Sequence, residues 1–332
     1  MAAEKSRILV VGGTGCLGRH VVAASARLGH PTLALVRDTA PSDPAKAALL
    51  KSFQDAGVTL LKGDLDDHGS LVSAVRLADV VISTVGVRQI PDQTKLVAAI
   101  EEAGNAYIDR PAGRCIVFPV RLSDHLFAVY VHAQRFLPSE FGLDADRSEA
   151  VEPTRSMLTA TKAAIRRAVE AAGVPYTYVL AGYFFCYGLP GVGQVLAQAP
   201  PVDKAVVLGD GDARVVFVDE ADIAAYTVLA AGDPRAENKT LHIRPPANTL
   251  SHNELLALWE GKTGRTLERG AVLKQIQEAS IPMNLMLSIG HATHIKGEQS
   301  KLGVDPASGV DAGELFPDVK YTTVDDYLDR LL

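Results

Sequence analysis

The stretch Arg7–His20, RILVVGGTGCLGRH, decides the fold of this chain. It opens with a short apolar run that has the length and β-branched content of a buried strand. A glycine-rich turn follows and leads into a segment with helical spacing. Gly12, Gly15 and Gly18 give the pattern GxxGxxG, which is typical of a turn where the backbone approaches a pyrophosphate and the helix packs closely on the strand. The sequence therefore predicts a dinucleotide-binding loop.

The residue after the second predicted strand, Thr32–Val36, indicates which dinucleotide binds. An acidic residue there holds the ribose 2′-hydroxyl of NAD, whereas an arginine holds the 2′-phosphate of NADP. Arg37 occupies this position, although Asp38 follows it, and Lys46 on the next predicted helix supplies a second positive charge. The alternative interpretation of Arg37 is a solvated loop charge. The sequence favours NADP(H). The predicted contacts in the turn are Gly12, Gly13, Thr14, Gly15, Cys16, Leu17 and Gly18.

Strand and helix patterns then alternate along the chain, which predicts an α/β fold with a doubly wound parallel sheet. The predicted later strands are Val58–Leu61, Asp79–Thr84, Arg135–Pro138 and Tyr176–Val179. The predicted later helices are Pro44–Ala56, Ser70–Leu77, Asp92–Ala103 and Glu152–Ala172. Because ligands bind at the carboxyl ends of such strands, we expect Thr84 and Gly86 beside the nicotinamide half of the cofactor. We expect an NADP-binding Rossmann domain over residues 1–180. A smaller, mainly substrate-binding domain is expected over 181–332, with some segments returning to the first domain.

Two local patterns are expected in the second half. Val206–Leu208 and Arg214–Val218 flank a Gly-Asp-Gly-Asp turn, which predicts a β-hairpin. A helix is predicted over residues 251–262, with Ser251 as N-cap and Glu254 completing a capping box.

Composition excludes several classes of function. The 332 residues are 47% hydrophobic and carry a net charge of −6 without a basic cluster, which argues against a nucleic-acid or anionic-membrane surface. The three cysteines are widely spaced, which suits a reducing compartment and offers no metal site. No apolar run reaches the roughly 18 residues of a membrane span, and no apolar stretch precedes the first strand. We therefore expect a cytoplasmic protein.

One lysine is the candidate for proton transfer. The Tyr-x-x-x-Lys pair of ordinary short-chain dehydrogenases is absent, because Leu158 stands four residues before Lys162. Lys162 follows the fifth predicted strand on a helix, and a desolvated lysine can titrate near neutrality. The alternative is a solvated helix lysine. His291 is a candidate substrate contact, and without a third ligand beside His294 no metal site is predicted.

The motifs together resemble the plant isoflavone reductase-like family, within the NmrA-like atypical short-chain dehydrogenases, and its grass members in particular. The shared stretches are VVGGTGCLGRHVV, ALVRD, KGDLDDH, VVISTVG, RFLPSEFG, KAAIRRAVEAAGVPYTYV, PPANTLSHNELLALWE and FPDVKYTTVDDYL. The family includes phenylcoumaran benzylic ether, pinoresinol–lariciresinol and isoflavone reductases. The resemblance covers nearly the whole chain outside residues 106–134.

This resemblance implies a reductase of plant phenylpropanoid metabolism that takes NADPH and a small phenolic substrate. The family's catalytic lysine falls on Lys162, and its cofactor contacts fall on the glycine turn, Arg37, Lys46 and Arg166. Its substrate-side histidine matches His291, and an aromatic substrate would suit the loop that contains Phe184. Hydride would reach a quinone-methide or enone carbon while Lys162 moves the phenol proton. A homodimer is an assembly that the sequence leaves open.

Residues 106–134 depart from the family, whose members run almost directly from EAGN into RFLPSEFG. The segment shows no helical or alternating period. Its end, LFAVYVHAQ, could be translated from a pyrimidine-rich tract closing in CAG, as an intron ends. A retained intron and a genuine loop are the two alternatives. The chain is also shorter than its relatives between Leu267 and Ala271, and it has Gly182 where many members have asparagine.

Two other functions compete with a phenolic reductase. One is a catalytically silent NADP(H)-binding regulatory protein, which the unusual segment favours and Lys162 disfavours. The other is an NAD-dependent epimerase, which Arg37 and the missing Tyr-x-x-x-Lys disfavour.

Overall fold

The computed structural model describes residues 5–105, 115–122, 125–132, 135–195, 197–272 and 280–332. The chain forms two compact units, each built from discontinuous segments. The first comprises Met1–Ser139, Ala164–Tyr178 and Thr227–Lys239, and the second comprises Glu140–Ala163, Val179–Tyr226 and Thr240–Leu332. Residues 140–163 therefore belong to the second unit although they precede residue 180, and residues 227–239 return to the first.

The strands and helices within the described ranges alternate through the first half of the chain. The strands are β1 (Ile8–Val11), β2 (Thr32–Val36), β3 (Thr59–Lys62), β4 (Val80–Ser83), β5 (Cys115–Leu122), β6 (His125–His132), β7 (Arg135–Leu137), β8 (Thr177–Ala181), β9 (Tyr183–Phe184), β10 (Lys204–Leu208), β11 (Arg214–Val218), β12 (Lys239–Ile243), β13 (Thr249–Ser251), β14 (Glu268–Val272) and β15 (Gly309–Asp311). The α-helices are α1 (Gly18–Arg27), α2 (Pro44–Asp55), α3 (His68–Val75), α4 (Gln93–Asn105), α5 (Ala160–Ala171), α6 (Phe185–Gly188), α7 (Glu220–Gly232), α8 (His252–Thr263), α9 (Met283–Gly290), α10 (Glu298–Lys301), α11 (Ala312–Leu315) and α12 (Val324–Leu328).

The first unit is organised around a five-stranded parallel sheet in the order β3-β2-β1-β4-β7. Alternate residues of β1 face opposite sides, as the pleat of a strand requires. Leu9 and Val11 join the core formed with α3, α4 and α5, whereas Val10 lies by Gly13 and Val22 of α1. Since helices cover both faces, the predicted doubly wound α/β fold is confirmed.

The second unit carries three small sheets, in the orders β10-β14, β13-β11-β9 and β15-β12-β8. A separate hydrophobic core holds it together, in which Phe185, Phe217 and Trp259 are the large aromatic members. Helix α8 begins with the predicted capping box, because the Ser251 hydroxyl accepts from the Glu254 N–H and the Glu254 carboxylate accepts from the Ser251 N–H.

The predicted hairpin between β10 and β11 is wrong. β10 pairs in parallel with β14, whereas β11 lies between β13 and β9. The turn between them is hydrogen-bonded to helix α8 instead. The Asn253 amide donates to the Asp210 carbonyl at 2.9 Å and to the Asp212 carboxylate at 2.8 Å. Gly211 has φ of 77°, and a Cβ there would lie 2.8 Å from the Asn253 amide. The glycine and aspartate residues of this turn therefore allow a contact with Asn253, which is distant in sequence, and do not form a local hairpin.

The predicted helix over residues 152–172 is divided. Arg155–Thr159 form a π-helical turn, and α5 begins only at Ala160. The Glu152 carboxylate accepts from the Ser156 N–H and hydroxyl, which satisfies donors at the start of this segment.

The segment that departs from the family contains a β-hairpin where no period was predicted. β5 and β6 pair antiparallel from Cys115↔His132 to Leu122↔His125 and form a sheet of their own. The central parallel sheet takes no strand from this pair, since β7 joins it directly beside β4. Among the described residues, no helix is both long and apolar enough to cross a membrane.

Candidate cofactor cleft and catalytic loop

The glycine turn is closed by contacts that leave no room for side chains. Gly12 has φ of 83°, and a Cβ there would lie 2.8 Å from the Thr84 carbonyl oxygen. A Cβ on Gly18 would lie only 2.2 Å from the Gly12 carbonyl oxygen. The Thr84 hydroxyl and N–H both donate to the Val11 carbonyl, at 3.0 and 2.8 Å. The spacing of the glycines is therefore a packing requirement of this turn against β4.

The first turn of α1 is prepared for an anion. Leu17 is its N-cap and forms no side-chain capping bond, and the first turn contains no acidic residue. The Arg19 and His20 N–H groups donate to the Gly15 and Leu17 carbonyls, so it is the positive end of the helix dipole that favours phosphate at this position.

A cleft of about 580 Å³, including its solvent-open part, runs along the carboxyl edge of the sheet in the first unit. The residues that line it come from the ends of β1, β2, β3 and β4 and from the segments that follow them: Val11, Gly12, Thr14, Leu35, Val36, Arg37, Lys46, Gly63, Asp64, Leu65, Val85 and Gln89. This is the edge at which doubly wound sheets bind ligands.

Two cations lie together in this cleft, as the sequence predicted. Arg37 is exposed at the end of β2, and Lys46 is half-buried in the first turn of α2. In the part of the chain that the structure describes, neither forms an ion pair with a carboxylate, although Asp64 lines the same cleft. The glycine cradle, the first turn of α1 without an acidic residue and the two cations fit a phosphorylated dinucleotide.

Lys162 lies in the second unit and is not a solvated helix lysine. Its side chain is buried, with 9% relative exposure, and Nζ donates a hydrogen bond to the Glu140 carbonyl. Gly142 lies close by, since a Cβ there would be 3.9 Å from Nζ. A buried amine that donates to a main-chain carbonyl has surroundings that suit a proton-transfer group.

The loop that carries Glu140 has an unusual backbone. Phe141 adopts φ of 33°, a left-handed conformation that costs a bulky residue free energy. The Phe141 N–H donates to the Val179 carbonyl at 2.8 Å, and both Glu140 and Phe141 are buried. The surrounding packing therefore holds the Glu140 carbonyl where Lys162 meets it.

Arg166 lies apart from the cleft residues. Its guanidinium stacks over the Tyr178 ring at 4.7 Å from the centroid, and the Tyr178 hydroxyl donates to the Arg166 carbonyl. It is buried and does not line the cleft with Arg37 and Lys46.

The second unit carries the two residues that were predicted to contact substrate: Phe184, in the aromatic loop after β8, and His291, after α9. Phe184 is half-buried and stacks on Tyr187 at 5.9 Å, and 52% of Tyr187 is exposed. His291 is half-buried, and its Nδ1 atom is shielded from water without a hydrogen-bond partner among the described residues.

His294 belongs instead to the core of the second unit. Its ring lies edge-on to Tyr183 at 5.1 Å and 5.7 Å from the ring of His252. Burial lowers the pKa of His294 to about 3 and that of His252 to about 4. Both rings are therefore neutral at physiological pH.

The sequence interpretation missed two polar residues beside the cleft. Gln93 and Ser139 are buried in the first unit and hydrogen-bond to one another. Ser139 follows a predicted strand, so the rule for carboxyl ends would have indicated it. Gln93 begins a helix, and no sequence pattern marks it.

The parallel sheet, the glycine turn and the cation-bearing cleft define an NAD(P)-binding protein of the Rossmann type. The chain belongs to the NmrA-like family, which it matches over residues 4–108 and 127–328. The interval between these ranges lies within the segment that the sequence marks as unusual.

Curated relatives place the chain more narrowly. It is 66% identical over 337 residues to Isoflavone reductase homolog IRL of Zea mays, with all of both chains covered. It is 50% identical to Eugenol synthase 1 of Petunia hybrida and 49% identical to Phenylcoumaran benzylic ether reductase TP7 of Nicotiana tabacum, with 98% of each chain covered. The predicted membership of the isoflavone reductase-like group is confirmed.

Solved structures agree with this placement. An isoflavone reductase crystal structure matches with a TM-score of 0.86 and 43% identity, over 99% of this chain and 100% of that one. AtPrR2 with NADP⁺ and (+)pinoresinol matches with a TM-score of 0.85 and 37% identity, over 99% of both chains. The chain is an NADPH-dependent oxidoreductase of a phenylpropanoid reductase family.

Proposed function

We propose that this protein uses NADPH to reduce a phenylpropanoid-derived phenolic compound of the phenylcoumaran, lignan or isoflavone type. The observation that carries the proposal is the buried Lys162 amine of α5, which donates to the Glu140 carbonyl beside the left-handed Phe141, in a chain whose first unit has a cleft lined by Arg37 and Lys46. The first unit serves as the NADP-binding domain, and the second mainly contacts substrate.

The cofactor is held by the glycine turn and the cations of the cleft. The turn from Gly12 to Gly18 and the start of α1 hold the pyrophosphate. Arg37 and Lys46 bind the 2′-phosphate, and Thr84 and Gly86 lie on the side of the nicotinamide. Arg166 stacks on Tyr178, so it supports the fold of the first unit in addition to any cofactor contact.

The chemistry of the protein itself is proton transfer at Lys162. NADPH, when bound, supplies a hydride to an electron-poor carbon of the substrate. With a benzylic ether, the Lys162 amine takes the phenol proton and the benzylic C–O bond breaks, which gives a quinone methide that would accept the hydride and an alkoxide that takes the proton back from Lys162; the phenolate left after hydride addition takes a proton from solvent. With an enone, the protonated Lys162 side chain donates a proton to the enolate oxygen that forms when the carbon accepts the hydride. Burial of Lys162 excludes competing water, and the Glu140 carbonyl orients the amine.

The aromatic pair of the second unit supports a flat aromatic substrate. Phe184 and Tyr187 are stacked with an interplanar angle of 20°, and Tyr187 is largely exposed. Ring faces of this kind bind other aromatic rings. His291 is a hydrogen-bond donor or acceptor for a substrate hydroxyl, because its Nδ1 atom is unsatisfied.

The test is a substrate screen with the purified full-length chain. Phenylcoumarans, furofuran lignans and isoflavones are each incubated with NADPH or NADH. Cofactor oxidation is followed at the reduced-nicotinamide absorbance, and products are identified by mass. We expect turnover of at least one class with NADPH and much slower turnover with NADH.

Controls separate chemistry from binding. A Phe184→Ala variant should raise the KM for the phenolic substrate, whereas the half-buried Phe316 is a poor control position because its ring contacts Tyr226. Leu77→Ala, an exposed apolar residue of the first unit, is the better control. NADPH binding without turnover of any phenolic class would contradict the proposal and favour a regulatory protein.

A further inference from the structure

A side-chain network joins the carboxyl ends of β4 and β7 in the first unit. Gln93, the first residue of α4, is 1% exposed. Its Oε1 atom accepts from the Ser139 N–H at 2.6 Å, and its Nε2 atom donates to the Ile90 carbonyl at 3.3 Å. The Ser139 hydroxyl donates to the Val85 carbonyl at 2.9 Å.

This network lies just beyond the last backbone pairing between β4 and β7. The pairing of β4 with β7 ends at Ile82↔Leu137, so Val85 and Ser139 lie beyond the last paired residues. Without Gln93 the Ser139 N–H would be buried and unsatisfied, and the two strand ends could separate. Gln93 therefore fixes the spacing of these two ends.

One of the fixed ends forms a wall of the cofactor cleft. Val85 lines the cleft together with Gln89, which lies between Val85 and Gln93 in the chain. Arg37 and Lys46 line the cleft from β2 and α2. The network is thus coupled to the part of the cleft at Val85, and among the described residues it forms no hydrogen bond with Arg37 or Lys46.

We propose that Gln93 is a positioning residue for the nicotinamide half of the cofactor. It acts through Val85 and Ser139, and the adenosine half with its 2′-phosphate does not depend on it. This inference rests on the proposed orientation of NADPH, in which the cations hold the 2′-phosphate. It adds a residue that the glycine motif and the catalytic lysine do not indicate.

The experiment compares two ligands that share one half. NADPH carries both halves, whereas 2′,5′-ADP carries only the phosphorylated adenosine half. Gln93→Met keeps the length of the side chain and removes both hydrogen bonds. We expect it to weaken NADPH binding about tenfold and to leave 2′,5′-ADP binding within about twofold of wild type. Gln54→Met, on the exposed face of α2, is the control for the same substitution and should change neither constant.

A second variant tests the network if Gln93→Met does not fold. In Gln93→Glu an ionised carboxylate still accepts from Ser139, but its second oxygen faces the Ile90 carbonyl and repels it. Protonation turns that oxygen into a donor and restores the bond. We expect the ratio of NADPH to 2′,5′-ADP affinity to recover as pH falls from about 8 to 6, because burial raises the pKa of such a carboxyl. The 2′-phosphate titrates in both ligands, and the same ratio measured for the wild-type protein corrects for the 5′-phosphate of 2′,5′-ADP, which titrates in this range as well.

The outcomes are distinct. A selective loss of NADPH affinity supports the positioning role, as does its recovery at low pH in Gln93→Glu. An equal loss for both ligands would show that Gln93 only stabilises the fold, and unchanged constants would show that the network does not act on the cofactor; either result overturns the inference. Absence of turnover with every phenolic compound would contradict the proposed function while leaving this binding ratio measurable.

Discussion

The Lys162 ammonium donates a hydrogen bond to the main-chain carbonyl of Glu140. Because the acceptor is backbone, its position depends on the conformation of the loop and not on the identity of the Glu140 side chain. The left-handed Phe141 and its bond to the Val179 carbonyl set that conformation. The conformation of this loop thereby fixes where the carbonyl meets the Lys162 side chain.

Removal of this amine should separate turnover from cofactor binding. We expect Lys162→Ala to lower kcat about 10²-fold or more, the usual contribution of a positioned acid or base. NADPH affinity should stay within about twofold, since Lys162 does not line the cleft. Steady-state kinetics and fluorescence titration measure the two quantities. Lys296→Ala, at an exposed position of the second unit, is the matched control. Retained turnover in Lys162→Ala would exclude the proposed role.

The two cations of the cleft should select the phosphorylated cofactor. Arg37→Asp removes a charge-assisted contact with the 2′-phosphate and creates an acceptor for the 2′-hydroxyl of NADH. We expect NADPH affinity to fall about tenfold or more and NADH affinity to rise, as measured by titration with each cofactor. Lys46→Met should weaken NADPH binding by a smaller factor. Lys51→Met on the same helix, where Lys51 pairs with Asp55, should leave both affinities unchanged. Equal losses for both cofactors in Arg37→Asp would contradict selection by the phosphate.

Glycine is required at position 18 because there is no space for a Cβ atom, and Gly261, where there is space, provides a comparison. A Cβ on Gly18 would overlap the Gly12 carbonyl, whereas one on Gly261 of α8 would meet no atom within 4 Å. We expect Gly18→Ala to destabilise the fold by about 1–3 kcal/mol and to abolish tight NADPH binding. Gly261→Ala should stabilise by about 0.5–1 kcal/mol, because alanine favours a helix interior. Chemical denaturation measures both effects, and a neutral Gly18→Ala would show that the turn can open.

The sheet of the first unit was predictable because its local signals agree with its tertiary structure. The apolar run before Gly12 and the strand at Thr32–Val36 occur as the sequence indicates, and so does the capping box at Ser251 in the second unit. The hairpin predicted after Val206 does not form, and this was not predictable, since the Gly-Asp-Gly-Asp turn has hairpin chemistry but is bound by Asn253 of α8. A contact between residues far apart in sequence overrode the local pattern.

The residues of the candidate site were predictable where a sequence motif reflects a physical requirement of the ligand. Close approach to a pyrophosphate demands glycine, and a 2′-phosphate demands a cation, so the turn and Arg37 follow from the sequence. The burial of Lys162 and the conformation of Phe141 do not, because both arise from packing in the second unit. Gln93 was missed for the same reason: a glutamine at a helix start carries no signal until its partners are known.

Three buried histidines should make the second unit sensitive to acid. Burial lowers the pKa of His242 and His252 to about 4 and of His294 to about 3, whereas in the unfolded chain a histidine titrates near 6.5. Below about pH 6.5 the unfolded chain binds more protons than the folded one, so the free energy of unfolding falls as pH falls. At pH 5 we expect a loss of about 2 kcal/mol for each of the three.

Urea denaturation between pH 5 and 7.5 measures this dependence. Replacing one histidine removes its proton uptake on unfolding. The free energy of unfolding of His294→Gln should therefore depend less steeply on pH than that of wild type, even if the variant is less stable at pH 7.5. If the free energy of unfolding depends equally on pH in wild type and in His294→Gln, then His294 does not contribute to the acid sensitivity.

Residues 106–134 should be dispensable for cofactor binding. Within the described ranges, β5 and β6 pair only with each other, and the central sheet takes β7 directly beside β4. The family match also lapses over residues 109–126. We therefore expect a chain that joins Asn105 to Arg135 to fold and to bind NADPH at least as tightly as the full chain. Phe136→Ala, in the core beside β4, should cost about 3–5 kcal/mol and shows that the stability measurement detects damage to this sheet.

The result also bears on the origin of the segment. Loss of NADPH binding on deletion would mean that the hairpin is an integral part of the first unit. Retained or improved binding, together with a mature transcript that lacks these codons, would identify the segment as a retained intron. A mature transcript that carries them would refute that origin and make the hairpin a genuine insertion, placed between α4 and β7 where the parallel sheet tolerates it.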